Sequence, residues 1–227
     1  MPVQTLDAPA GDALPPEPAG VPEVAIGDPR FRALLCEEEW ASLPAAVRRR
    51  FSKRLANGAS TVYAGEVLET WMSRRGWLVA QLLRLIGGPL PFVRNRHVPA
   101  VVIVTEDRSV GGQVWTRLYG RHGGFPQVVH SCKRFAGPTG LEEYVGYGVG
   151  MTVTLNVCDG VLVFRSKQYF FELFGRRLIL PAWLCPGAMC MTHAELPDGR
   201  FSFTLQVIHP RFGIILRQMV MFREVAS

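Results

Sequence analysis

Two histidines and a glutamate are the side chains of this sequence best suited to moving a proton. His193 shares a strand face with Met189, Met191 and Glu195, and His209 shares one with Phe203, Leu205 and Val207. Glu143 is their candidate partner, because a carboxylate beside an imidazole can act as general acid or base near neutral pH. Either histidine, at the end of an apolar face, also reads as a satisfied core or rim residue. His209 precedes Pro210, which biases its backbone to the extended region and would fix its direction at a strand end. Glu142 and Glu143 are adjacent, so on a strand they face opposite ways and cannot act as a carboxylate pair.

A second set could hold a ligand. With a period of two, Gln113, Trp115, Arg117 and Tyr119 share one face, and Val129, Ser131 and Lys133 share another. A face that mixes Trp, Tyr, Arg and Gln suits a ligand-lined interior, with apolar walls and a few fixed polar groups. It also suits an outer face packed under helices, with Arg117 reaching water. Lys133 could be a pocket cation facing a carboxylate or enolate, or a solvated edge residue. Met151, Tyr169 and Phe203 would add walls. Ser166 and Gln218 would add polar groups, and a buried amide such as Gln218 needs partners, since leaving it unpaired costs roughly 1–3 kcal/mol.

Other chemistries lack their signatures. There is no GxSxG and no HExxH motif. Gly146, Gly148 and Gly150 open a strand with no helix after them, so neither a dinucleotide loop nor a phosphate loop fits. The five cysteines are an odd count with no CxxC, which argues against a disulfide framework or a zinc site. No metal and no cofactor are expected.

These residues must be positioned by elements that the pattern also suggests. Residues 1–27, rich in Pro, Ala, Gly and acids, read as a disordered tail. Residues 28–97 read as a helical region. One helix opens at Asp28-Pro29, and a second starts near Ser42, with Val47, Phe51 and Leu55 at helical spacing and Asn57-Gly58 as its stop. Tyr63 to Gly65 is a short extended link, and a longer helix then runs from about Glu66 to Ile86. From residue 98 to 227 the period is two, with turn residues between many short runs. The reading is mainly β: an antiparallel, lipocalin-like barrel or strongly curved sheet covered by two or three N-terminal helices. Asp159-Gly160, between two alternating runs, predicts a two-residue hairpin turn, because that turn needs positive φ at both central positions.

The chain resembles a bacterial family known as domain of unknown function 4166. The resemblance rests on Trp115-Thr116-Arg117, Ser131 to Phe135, Glu143 with Gly146, Gly148, Gly150 and Met151, Asp159 to Ser166, Tyr169, Leu180-Pro181 with Pro186-Gly187, His193, Phe203, and His209 to Gly213 with Gln218 and Phe222. It runs from about Phe31 to Phe222 and implies a shared fold without a settled activity. Members of that family often follow a saccharopine-dehydrogenase-like nucleotide-binding domain, which these residues do not contain.

Three functions are compatible with this reading. The first is binding of an apolar or amphipathic small molecule, lipid- or polyketide-like, in a barrel cavity. The second is a cofactor-free isomerase or cyclase using the same cavity. The third is an interaction domain that docks a protein or an anionic membrane through basic helices. The net charge is +6, but it is dispersed. The one dense cluster, Arg48, Arg49, Arg50, Lys53 and Arg54, reads first as a solvated helix face, and no nucleic-acid partner is expected. The apolar run after Arg74 and Arg75 is too short for a span; it reads first as a helix that plugs or covers the sheet, and second as one in peripheral contact with a membrane surface. With no basic-then-apolar leader at the N-terminus, the expected location is the cytoplasm. Oligomeric state is open.

Overall fold

The computed structural model describes residues 27–225; the expected tail lies almost wholly outside them. The chain opens with a 3-10 turn at Arg32–Leu34 and two short helices, α1 (Glu37–Ser42) and α2 (Ala45–Phe51). The first element is thus a single tight turn and not a helix from Asp28. Asp28 is buried, and its carboxylate accepts from the Arg30 guanidinium at 2.7 and 2.8 Å. Burial disfavours the charge, but the Arg30 bonds outweigh it and lower the Asp28 pKa.

Strand β1 (Ser60–Met72) follows, where a helix was expected from Glu66. Its buried residues include Tyr63, Val67, Thr70 and Met72, and the first three, at i, i+4 and i+7, imitate one helix face. The cause is a β-bulge between Val67 and Glu69, which inserts Leu68 and shifts the parity of every later side chain. Helix α3 (Arg74–Leu82) and a 3-10 turn (Leu83–Ile86) occupy only the second half of the expected helix. Ser73 caps α3 by accepting from Gly76 N at 3.0 Å.

The remaining strands are β2 (Val98–Asp107), β3 (Gly112–Tyr119), β4 (Gln127–Arg134), β5 (Glu142–Gly146), β6 (Val149–Cys158), β7 (Val161–Leu173), β8 (Arg176–Ile179), β9 (Ala188–Glu195), β10 (Arg200–His209) and β11 (Gly213–Glu224). They follow the alternation of the sequence closely. Two runs expected as separate strands, 161–167 and 169–174, form the single strand β7. A register shift places Thr152 opposite Gln168 and Val153 opposite Ser166, leaving Lys167 as a bulge. Asp159 and Gly160 both take positive φ, at 50° and 74°, as the two-residue turn requires.

The sheet is antiparallel and closes. Its order is β6-β5-β4-β3-β2-β1-β11-β10-β9-β7, and β6 pairs with β7 to complete a ring of ten strands. The eleventh, β8, pairs only with the second half of β7. Because β1 sits between β2 and β11, the barrel does not begin at residue 98 and the segment before it is not purely helical.

Registers sort the connections to two ends. One end holds the chain before β1, the β6–β7 turn and the start of β10. Here Phe31, Trp40, Leu43, Val47 and Phe51 share a buried cluster with Leu162 and Phe164 of the barrel interior. Phe31 and Phe51 meet edge to face, with ring centroids 5.1 Å apart. The other end holds α3, the link that follows it, and the β3–β4, β5–β6, β7–β8, β8–β9 and β10–β11 connections. There Ala80 and Leu90 pack with Val207, Ile215 and Leu216. Gly76 lies so close to Ile215 that an added Cβ would sit 1.9 Å from its carbonyl oxygen.

Candidate functional site

The barrel is packed with side chains at the α1–α2 end, save a void of about 20 Å³, and hollow toward the other. The hollow is a cavity of about 290 Å³, at the small end of the roughly 300–1,000 Å³ usual for ligand pockets. Its walls come from inward positions on strands around the barrel: Val102 on β2, Val129 on β4, Met151 on β6, Met189 and Met191 on β9, Leu205 on β10, and Val220 and Phe222 on β11. Leu83, Ile86, Pro89 and Leu90, from the link after β1, close one side.

Of the side chains singled out from the sequence, Trp115, Arg117, Tyr119, Ser131, Glu143, Met151, Tyr169, Phe203 and Gln218 line this space. The face shared by Trp115, Arg117 and Tyr119 therefore points inward. Lys133 points into the barrel beside the cavity, packed between Trp115 and Phe164, and is 1% exposed, so it is not a solvated edge residue. Ser166 also stands off the cavity; its hydroxyl accepts from Met189 N at 2.9 Å and ties β7 to β9.

The polar groups converge on one patch. Register places Lys133 of β4 opposite Glu143 of β5, and Lys133 Nζ donates to Glu143 Oε2 at 2.9 Å. Arg117 Nη2 lies 3.7 Å from Glu143 Oε1, and Arg117 Nη1 donates to Ser131 Oγ at 3.0 Å. Burial pushes the Glu143 pKa up, but Lys133 and then Arg117 overcome it and hold the pKa near 2. The lysine also lies 5.3 Å from the Trp115 ring centroid and 5.4 Å from that of Phe164, within cation–π reach. Two cations facing one carboxylate leave an excess positive charge beside an apolar space. Across the barrel, Gln218 Nε2 donates to Thr70 Oγ1 at 3.0 Å, so this buried amide has the partner it needs. Tyr169 donates to the Gly187 carbonyl at 2.9 Å, and burial pushes its pKa to about 12.

The structure does not bring the proposed acid–base partners together. His193 is fully buried at the α1–α2 end, where Arg50 Nη1 contacts its Nε2 at 2.8 Å and Glu195 Oε2 at 3.0 Å. Arginine only donates, so Nε2 accepts and the ring proton sits on Nδ1. Burial and then the Arg50 charge lower the His193 pKa to about 3. His209 ends β10, where its Nδ1 accepts from Arg211 N at 3.1 Å and its ring stacks on Phe212 with centroids 4.5 Å apart. Neither imidazole lines the cavity with Glu143. Three members of the basic cluster are engaged: Arg50 holds β9, Lys53 pairs with Glu224, and Arg48 donates to the Ala41 carbonyl, while Arg49 and Arg54 are exposed.

Several lining residues were not picked out beforehand. Val102, Val129, Met189, Met191, Leu205, Val220 and Phe222 carried a usable signal, since each shares parity with, or pairs across from, a residue that was. The walls from Leu83 to Leu90 carried none, because they reach the cavity only through the path of the chain after β1. Among the described residues, no three His, Cys, Asp or Glu side chains group to hold a metal ion, and no helix is long and apolar enough to cross a membrane.

Fold and site together define a closed antiparallel barrel with a walled, mainly apolar cavity and one buried charged patch. The chain belongs to the family described as domain of unknown function (DUF4166), whose model matches residues 43–222. No curated protein and no solved structure matches it.

Proposed function

We propose that the barrel binds an amphipathic small molecule, with its apolar part along the cavity walls and an anionic end at Arg117. In this reading the barrel works in a lipocalin-like way, as a small β-barrel that encloses one ligand. The observation that carries the reading is the arrangement of Arg117. It lines a mainly apolar cavity, its charge is only partly answered by Glu143 at 3.7 Å, and Lys133, 2.9 Å from the same carboxylate, satisfies it. In a water-poor site, such an excess charge favours a carboxylate or enolate.

Cofactor-free isomerisation or cyclisation in the same cavity is less well supported. A general base works best with a pKa near the working pH, and Glu143, held near 2, is a weak one. With both histidines outside the cavity, the acid–base set loses two members.

Isothermal titration with octanoate and 1-octanol tests the proposal. Both should bind once per chain. Arg117→Met should weaken octanoate at least tenfold and change 1-octanol less than twofold. Absence of saturable binding, or equal weakening of both compounds, would contradict it.

A further inference from the structure

The cavity end of the barrel carries a second pattern that ligand binding does not explain. Among the described residues, the five most exposed large apolar side chains are Phe174 (95%), Phe125 (90%), Leu85 (82%), Trp183 (79%) and Tyr147 (76%). They come from five different connections, and all five belong to this end. Leu85 is adjacent in sequence to Ile86, which lines the cavity. Trp183 is adjacent to Leu184, which lines the cavity and is itself 54% exposed. Leu85 and Trp183 therefore stand beside the cavity, and Phe125, Tyr147 and Phe174 occupy turns at the same end.

Two of these aromatics hold strained positions. Tyr147 and Phe174 take φ of 49° and 50° at the tips of two-residue turns, where Asn or Gly would be at ease and a bulky ring is disfavoured. Neither ring is buried enough for packing to account for it. Folding alone would favour Asn at both sites.

Charge is segregated in the same way. The connections at this end, with β8, span residues 73–97, 120–126, 147–148, 174–187 and 209–213, and contain nine arginines and no aspartate or glutamate. Arg96 and Arg177 pair with Glu69 and Glu142. The other seven make no ion pair among the described residues. Carboxylates such as Glu37, Glu38, Glu39, Asp107, Asp159 and Asp198 lie at the opposite end.

We propose that this end docks on an anionic lipid surface, with the aromatic tips entering the interface and the arginines meeting headgroups. Aromatic rings with interleaved cations are the side chains that favour a bilayer interface. Separate turn tips at one end of the barrel suit a flat lipid surface better than a grooved protein partner. A cavity opening at this end would let an amphipathic ligand pass between bilayer and cavity without crossing water. This last step rests on the binding reading; the docking itself does not.

Co-sedimentation with vesicles tests it, using the full chain. Vesicles of phosphatidylcholine with phosphatidylglycerol should retain the protein, and pure phosphatidylcholine should not. Raising salt should release it, because exposed charges are screened. Phe174→Asn with Trp183→Ser should lower retention at least tenfold while leaving octanoate titration unchanged; Asn also suits the backbone at 174, so the variant should fold. No retention on the anionic vesicles, or retention that the variant leaves intact, would overturn the proposal. Capture of an acidic protein by chain that ignores vesicles would also overturn it and assign the surface to a protein partner. Retention without octanoate binding would keep the docking and remove the cavity reading.

Discussion

Lys133 and Glu143 face each other across β4 and β5, 2.9 Å apart and 1% and 5% exposed. Each is the other's main compensation for being buried. Removing Glu143 leaves Lys133 buried without its partner, which costs about 3–5 kcal/mol, and removing Lys133 leaves Glu143 only Arg117 at 3.7 Å, whereas removing both together costs much less. Lys133→Met and Glu143→Leu should therefore each destabilise strongly in urea unfolding, and the double variant should be more stable than the sum of the two losses implies. Additive losses, or small single ones, would show that the pair is not the unit described.

His193 sets the pH dependence on the mildly acidic side. Its folded pKa of about 3 lies below the ordinary 6.5, so the unfolded chain takes up the proton first. Stability should fall as pH drops below 6.5, by about 1.4 kcal/mol per unit. Urea unfolding at pH 6.5, 5.5 and 4.5 measures this slope, and His193→Gln should remove it. A proton titration of the imidazole centred near 6.5 in the folded protein would contradict the burial and the Arg50 contact.

Glu143 acts lower on the scale. Its folded pKa near 2 lies below the ordinary 4.5, so its contribution is present above 4.5 and is lost as pH falls toward 2. The size is roughly 3 kcal/mol. Acid unfolding of Glu143→Gln should lack this component, and a curve that superimposes on the parent below pH 4.5 would count against it.

Gly65 and Gly123 should respond oppositely to the same change. A Cβ on Gly65 would sit 1.9 Å from the Met221 carbonyl oxygen, while one on Gly123 meets nothing within 4 Å. Gly65→Ala should destabilise by several kcal/mol, since β1 and β11 would have to separate, and Gly123→Ala should stay within about 0.5 kcal/mol. Thermal unfolding distinguishes the two.

The contrast between β1 and the later strands shows what the sequence makes legible. From Ala100 onward, alternation in polarity and turn residues with positive φ agree with each other, and the strands fall where both point. In β1 the bulge at Leu68 breaks the alternation, so Tyr63, Val67 and Thr70 take a helix-like spacing. The candidate site divides along the same line. Parity on one strand places Trp115, Arg117 and Tyr119 on a common face. Contacts between strands do not follow from parity: the Lys133–Glu143 pair depends on register, and Arg50 reaches His193 from 143 positions away.

The central claim is that the hollow at the α3 end of the barrel takes a ligand, and methionine methyl groups report on it directly. Met151, Met189 and Met191 line the cavity, whereas Met219 is an exposed residue of β11. In protein labelled with carbon-13 at the methionine methyls, octanoate should shift the three lining resonances together along one saturation curve and leave Met219 in place. Lining resonances that stay fixed at saturating octanoate, or a shift confined to Met219, would contradict the account.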